Sequence, residues 1–333
     1  MDKLLSLFEE RLGQVGTLVK ETNKLPVLII QQHPADDGRT LLFPPVRESL
    51  SNIISFAEVS GTEFIKDIIE MSSDVVDVLI LDIDNKRDNS EQIIEEVKSV
   101  VDSKPLLYYS DYSMWSTAAM SFILSIVKTI KNKKVLLLDN NFLTARVLQA
   151  LLNYGANVYA PVDDYNNGTY SMDENTAMTF KSDRFQVPTD DDDQYDIIIG
   201  GSVLSQYKKD LSKYHSKHIF DIGLRNFSAE FIKEQMSQGA TIYRFDNRAG
   251  ISSVVLNLME TDYLTSKNMG TVKVGNIKLV SGGILGEEDS IVVDNAYSPE
   301  FIFGVADGQG MFKENLSEAN KKDIKIIESL IEK

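Results

Sequence analysis

From Leu25 onward the chain alternates short, unbroken apolar runs with stretches of helical periodicity, and this alternation most limits its fold. Strands buried on both faces read as continuous apolar runs, and strand–helix repetition places them in parallel sheets. LPVLII (25–30), VVDVLILD (75–82) and PLLYY (105–109) read as three such strands. A helix is expected over 47–57, turning Leu50, Ile53, Ile54 and Ala57 inward, and a second over 90–101. After a linking helix at 113–130 comes the clearest unit: a strand at 135–138, a helix at 144–154, Gly155 at the helix stop, and a strand at 157–160. That is one βαβ unit of a doubly wound sheet.

Further strands are expected at 196–199, 218–222 and 240–245, with helices at 228–237 and 250–260. Beyond Met269 the pattern becomes β-rich and Gly-punctuated, with short strands at 271–274, 277–280, 290–293 and 301–305 and a polar helix from Ser317. The expected class is α/β. It comprises a small α/β domain (1–112), a Rossmann-like doubly wound domain with linking helices (113–262), and an appendage of two hairpins and a helix (263–333). A chain of 333 residues is long enough to bury roughly 75% of its unfolded surface without staples.

Charge and cysteine content narrow the chemistry. The chain carries 34 basic and 50 acidic residues, a net charge of −16. That argues against a nucleic-acid partner, which needs a basic face to neutralise phosphates. With no cysteine, disulfides, thiolate metal sites and a Cys nucleophile are excluded together. Residues 1–20 form an amphipathic stripe (Leu4, Leu5, Phe8, Leu12, Val15, Val19), not a signal peptide, and 114–127 is too short and too hydroxyl-rich to span a bilayer. A soluble cytoplasmic protein with no membrane partner is expected.

The βαβ unit should carry a phosphate-binding turn if it holds a dinucleotide. Its three glycine positions are Asp139, Asn141 and Thr144, and a Cβ there blocks close approach of a pyrophosphate. Asp163 and Asp164 fall near the ribose-binding position, where an acidic loop accounts for them equally well. The unit is then either a cofactor domain or a Rossmann-shaped domain that lost or never had the cofactor. In YRFDNRAG (243–250), Arg244, Asp246 and Arg248 share one face of an extended strand, at the strand end where open α/β sheets bind ligands. Arg248 suits a carboxylate or phosphate and Asp246 an amino group, or the set is an ion pair tying down the sheet edge.

Two features of the first domain point to the same cleft. Asp84 and Asn85 follow a buried strand, as ligand contacts or a strand-end turn, and Arg47 opens the expected helix at 47–57, as an anion site or a cap. His33, His215 and His218 lack metal-site spacing, so no metal is expected. The acidic run 190–193 reads as a solvated loop, and Asp307-Gly308 as a hairpin turn. Walker, G-x-S-x-G and H-E-x-x-H motifs are absent from the sequence.

The order of features, with ESL (48–50), ILDIDN (80–85), KKVLLL (133–138) and AGIS (249–252), resembles the two-domain dehydrogenases of the shikimate dehydrogenase and glutamyl-tRNA reductase type. Within that group it is most similar to the dehydrogenases that complete pyrrolysine biosynthesis. The resemblance covers roughly residues 25–260 and implies NAD or NADP, an amino-acid-like substrate in the interdomain cleft, and Ser49, Asp84, Asn85 and Asp246 on its polar groups.

The resulting expectation is an NAD(P)-linked oxidoreductase in the biosynthesis of a specialised metabolite, with a homodimer as its assembly. Asp84 and Asp246 would be catalytic, and Arg47, Ser49, Asn85, Arg244 and Arg248 would bind substrate. Asn140, Asn141, Phe142, Leu143, Asp163, Gly201 and Ser202 would border the cofactor. Two alternatives stand beside it. One is a pseudo-dehydrogenase scaffold with an exposed apolar patch on the appendage. The other is a cofactor-free lyase or cyclase using Asp84 or Asp246 as acid–base.

Overall fold

A computed structural model describes residues 2–33, 38–102, 104–139, 141–160, 169–171, 177–179, 182–189, 194–201 and 211–331. The chain divides into two compact units, Met1–Val254 and Val255–Lys333.

The first unit holds two large sheets, one mainly and one wholly parallel, and a small antiparallel hairpin. The opening helix α1 (Asp2–Thr22) buries Phe8, Leu12 and Val15, and Phe8 stacks on Phe43 with ring centroids 4.5 Å apart. The first sheet contains β1 (Leu25–Gln32), β2 (Leu41–Leu42), β3 (Arg47–Glu48), β4 (Asn52–Val59), β5 (Val78–Asp82) and β6 (Leu106–Tyr109). Its order is β2-β4-β1-β5-β6, with β3 also on β4. β4, β1, β5 and β6 run parallel, while β2 and β3 are antiparallel to β4. Helices α2 (Ile65–Ser72) and α3 (Ser90–Val100) make the crossovers, burying Ile65, Ile68, Ile93 and Val97 on their inward stripes.

One expectation fails here. Residues 47–57 are not a helix: Asn52–Val59 is a strand between β2 and β1, buried on both faces. Every short apolar run contains i, i+3, i+4 matches, so Ile53, Ile54 and Ala57 mimic a helical stripe. The β-branched and aromatic content of NIISFAEV suits a pleated surface better. Leu50, expected inward, is 98% exposed in the turn before the strand. Arg47 therefore lies on a short strand and opens no helix.

Helix α4 (Asp111–Val127) leads to the second sheet. This contains β7 (Lys134–Leu137), α5 (Phe142–Asn153), β8 (Asn157–Tyr159), a detached hairpin of β9 (Thr169–Ser171) and β10 (Ala177–Thr179), then β11 (Phe185–Gln186), β12 (Gln194–Gly200), β13 (His215–Asp221), α6 (Ala229–Ser237) and β14 (Thr241–Arg244). The order β11-β8-β7-β12-β13-β14 is all-parallel. Numbered along the chain it is 3-2-1-4-5-6, the doubly wound Rossmann order, whose switch point falls between β7 and β12. The expected α/β class and Rossmann-like domain are thus present. Gly155 (φ +80°) ends the α5 turn as expected.

The second unit contains most of α7 (Arg248–Tyr263), then β15 (Thr271–Val274), β16 (Ile277–Ser281), β17 (Ile291–Val293), β18 (Ile302–Val305) and α8 (Glu318–Ile331). Two antiparallel hairpins join through a parallel β16–β17 pairing into one four-stranded sheet. Ile327 of α8 is buried with Leu279 and Val293. Phe301 and Phe303 pack edge to face at 5.4 Å and, like Phe312, stay about half exposed. No described helix is long and apolar enough to cross a membrane.

At the start of α7, Gly250 lies against α4: a Cβ there would stand 2.5 Å from that of Ala118 and 3.0 Å from the Met114 sulfur. Gly250→Leu is expected to lower stability by about 2–3 kcal/mol through overpacking. Gly13→Ala, in open space on α1, should raise it by about 0.5–1 kcal/mol through helix propensity. Chemical denaturation of both variants checks the contrast.

Candidate functional site

Open parallel sheets bind ligands beyond the carboxyl ends of their strands, and a cavity of about 600 Å³ lies there within the first unit. The first sheet contributes Gln31, Gln32 and His33 at the end of β1, Phe56 and Glu58 from β4, and Lys86 after β5. The second contributes Gly223 and Leu224 after β13 and residues 244–247 after β14. Tyr112 and Trp115 of α4 and Leu143 of α5 complete the apolar wall.

The most tightly built part is Lys86. Its Nζ lies 2.6 Å from Asp82 Oδ2 and 2.7 Å from Asp111 Oδ2, with only 2% of its side chain exposed, and the ammonium sits 5.1 Å from the Tyr112 ring centre. Asp82 ends β5 and is fully buried; its Oδ1 accepts the amides of Asp84 (3.1 Å) and Asp111 (3.4 Å). Burial pushes the Asp82 carboxyl up to about 6, against the opposing pull of Lys86. Burial works against the Lys86 charge too, but Asp111 and Asp82 outweigh it and hold its pKa above the ordinary lysine value. Lys86 is therefore a fixed cation. Two of its three N–H groups serve the carboxylates, and the residue forms part of the cavity wall.

The neighbouring groups are held with similar care. Gln31 Nε2 donates to Glu58 Oε1 (2.8 Å), and the buried His33 Nδ1 is 3.3 Å from Glu58 Oε2. Gln32 donates to the Asp84 carbonyl (2.7 Å) and accepts from Ser90. Arg47 Nη1 donates to Asn247 Oδ1 (2.5 Å), with its guanidinium 5.3 Å over the Phe56 ring. Trp115 Nε1 donates to the Ile222 carbonyl (2.7 Å). Leu224 and Arg225 are consecutive left-handed residues (φ +70° and +66°), and they curl the loop back onto the Asp221 carboxylate. Strained non-glycine backbone of this kind costs of order 1–3 kcal/mol per residue and concentrates at functional sites.

The expected site residues separate into four groups. Arg47, Arg244, Asp246 and Leu143 line the cavity. Asp84, Asn85 and Ser49 do not. Asp84 Oδ2 accepts the Tyr112 amide at the start of α4 (2.7 Å), Asn85 is exposed, and Ser49 Oγ closes the turn before β4 by accepting the Asn52 amide (3.0 Å). Asn141 caps α5 in the β7–α5 turn described below and donates to the carbonyl of Gly201, which follows β12. Asn140, Asp163 and Ser202 lie outside the described residues, as do the side chains of Phe142 and Arg248. Sequence reading missed Lys86, Asp82, Asp111, His33 and Glu58. A usable signal existed in Asp82 closing an apolar strand with Lys86 four residues on.

A dinucleotide cofactor would lay its pyrophosphate at the β7–α5 turn. There Asp139 Oδ2 accepts the Gly201 amide (2.6 Å), and Asn141 and Thr144 form a reciprocal capping box. These residues do not fit a pyrophosphate: a carboxylate and two capping side chains occupy its place. Among the described residues, no group of three or more His, Asp or Glu side chains is arranged to hold a metal ion.

No protein-family model and no curated protein matches the chain. Solved structures similar to parts of it include the A chain of dipicolinate synthase from Bacillus subtilis (13% identity, 73% of this chain and 98% of that one, TM-score 0.33). L-tryptophan dehydrogenase from Nostoc punctiforme (10%, 71% and 74%, 0.39) and shikimate dehydrogenase 1 from Peptoclostridium difficile (9%, 76% and 94%, 0.37) are others. At such scores they add nothing to the fold read from strand order. They give no support to the narrower likeness to the pyrrolysine-biosynthesis dehydrogenase.

The ion-pair geometry has a measurable consequence. Lys86→Met leaves Asp82 and Asp111 without their cation, and breaking a buried pair costs about 3–5 kcal/mol. Asp82 is harder to ionise folded (about 6) than unfolded (3.8). Its ionisation therefore opposes folding as pH rises through that window, and more strongly once Lys86 is gone. Urea unfolding of Lys86→Met and wild type at pH 7 and pH 4.5 should show a smaller gap at the lower pH. An unchanged gap would contradict the assignment.

Proposed function

We propose that this chain is an enzyme acting on an amino-acid-like small molecule held in the strand-end cavity. The observation that carries this reading is Lys86, a buried ammonium on the cavity wall clamped by two carboxylates. In this reading Lys86 donates its remaining N–H to a substrate oxygen and stabilises negative charge developing there. A fixed cation in a water-poor site suits that task better than it would in solution. Asp111, beside it on the same wall, accepts the proton that the substrate releases. Arg47 and Arg244 suit a carboxylate, since a guanidinium fork matches its two oxygens, while Glu58 and Asp246 suit an amino group.

NAD(P)-linked hydride transfer on the same substrate, which the family resemblance implies, has the Rossmann strand order behind it and the β7–α5 turn against it. The reaction class favoured here is acid–base chemistry at a carbonyl or its α-carbon, as in a lyase or cyclase. A second reading, the scaffold subunit, is favoured by the half-exposed Phe301, Phe303 and Phe312 of the second unit. It is carried only if a stable protein complex is lost in a Phe301→Ser/Phe303→Ser variant.

The test is turnover of a panel of amino and keto acids without nicotinamide, chosen first by thermal shift. A ligand at 100 times its Kd should stabilise the chain by about 2.7 kcal/mol. Arg47→Ala is expected to raise KM at least about tenfold, the loss of roughly 1.4 kcal/mol of binding. Lys86→Arg, which keeps the charge but moves the donor, should lower kcat about 100-fold or more while the chain stays folded. Full activity in Lys86→Arg would sink the proposal.

A further inference from the structure

The geometry points to a Rossmann-like sheet whose dinucleotide crevice is laced shut by the chain's own polar groups, so that the protein works without bound NAD(P). The crevice of a doubly wound sheet opens where the strand order reverses, here between β7 and β12. Four hydrogen bonds close this point, two of them across the gap. Asp139, just past β7, accepts the Gly201 amide at the end of β12 (2.6 Å). Asn141 Nδ2 donates to the Gly201 carbonyl (3.0 Å), so both polar backbone groups of Gly201 are engaged from across the gap. Asn141 Oδ1 also accepts the Thr144 amide (3.0 Å), while Thr144 Oγ1 accepts the Asn141 amide (2.9 Å).

The last two bonds consume amides at the start of α5, a place where phosphates commonly bind. Thr144 is fully buried, and its methyl fills the space a Cβ on Gly201 would need. A pyrophosphate entering here would break these bonds and settle beside the Asp139 carboxylate.

The next strand repeats the arrangement independently. Asp221 ends β13; its Oδ2 accepts the Asn226 amide (3.3 Å), and the nearby Leu224 and Arg225 amides also favour its charged form. Backbone donors that form an anion nest elsewhere hold an internal aspartate here. Anion recognition in the cavity is then left to side chains, Arg47, Arg244 and Lys86, which suits a small carboxylate and not a dinucleotide.

Trp115, the single tryptophan, lines the cavity and serves as the reporter. Titration of the whole chain with NADH and NADPH, read by Trp115 emission and by calorimetry with ADP-ribose, should show no saturable binding up to about 1 mM. Saturable binding below that level, displaced by ADP-ribose, would overturn the inference.

Asp139→Asn removes the charge while leaving an acceptor for the Gly201 amide, and Asp139→Asn/Asn141→Gly opens the turn further. At least one of them, folded by its cooperative unfolding, should bind ADP-ribose at least about tenfold tighter than wild type. No gain in either would overturn the assignment of closure to these side chains. None of these probes is amino-acid-like, so the outcome is independent of the turnover test on the Lys86 cavity.

Discussion

The buried contact of Lys86 with Asp82 and Asp111 organises the functional end of the first unit. Asp82 terminates the interior strand β5, Asp111 begins the helix leading to the second sheet, and Lys86 joins them. Taking three charges out of water is costly, and such a cluster persists only when its geometry satisfies nearly every lone pair. The amides of Asp84 and Asp111 on Asp82 supply that satisfaction. The carboxylate of Asp84 in turn fixes the Tyr112 amide, so the loop after β5 and the first turn of α4 form one hydrogen-bonded body. The cavity wall inherits its rigidity from this body.

The same device recurs at three strand ends. Asp82, Asp139 and Asp221 each follow or close a strand, and each accepts amides from an adjoining segment. The loops and helix N-termini that follow parallel strands present amide donors, and in many α/β proteins ligand phosphates meet them. Here aspartates do. Part of the net charge of −16 is therefore structural, neutralising the chain's own backbone at the place where a nucleotide would otherwise be attracted. The cavity keeps a balance of guanidinium, ammonium and carboxylate groups instead.

Much of the architecture was legible in the sequence, because buried parallel strands and their crossover helices carry strong patterns. The βαβ unit from β7 to β8, the strand end at Asp82 and the β-rich segment beyond Met269 fell where their patterns placed them, while the strand expected over 240–245 spans Thr241–Arg244. The strand at Asn52–Val59 was mistaken for a helix because continuous apolarity hides the period. The site was less legible. Arg47, Arg244 and Asp246 were found from charge near strand ends, whereas Asp84 was chosen over Asp82. A sequence shows two acids two residues apart and not which one turns inward. Lys86 was passed over because a lysine among polar residues reads as solvent-exposed.

The amino-acid sequence alone determined the class of fold and the absence of thiol chemistry, since hydrophobic periodicity and composition are local properties. It also showed that the phosphate turn lacks glycine. Only the tertiary structure decided what that means, because Asp139 and Asn141 act on Gly201, about 60 residues away, and no local pattern encodes such a partner. The Lys86 cluster likewise exists only once β5 and α4 are side by side. The charge of each group is written in the sequence, but burial and pairing across the fold set whether it is a solvated surface charge or part of a site.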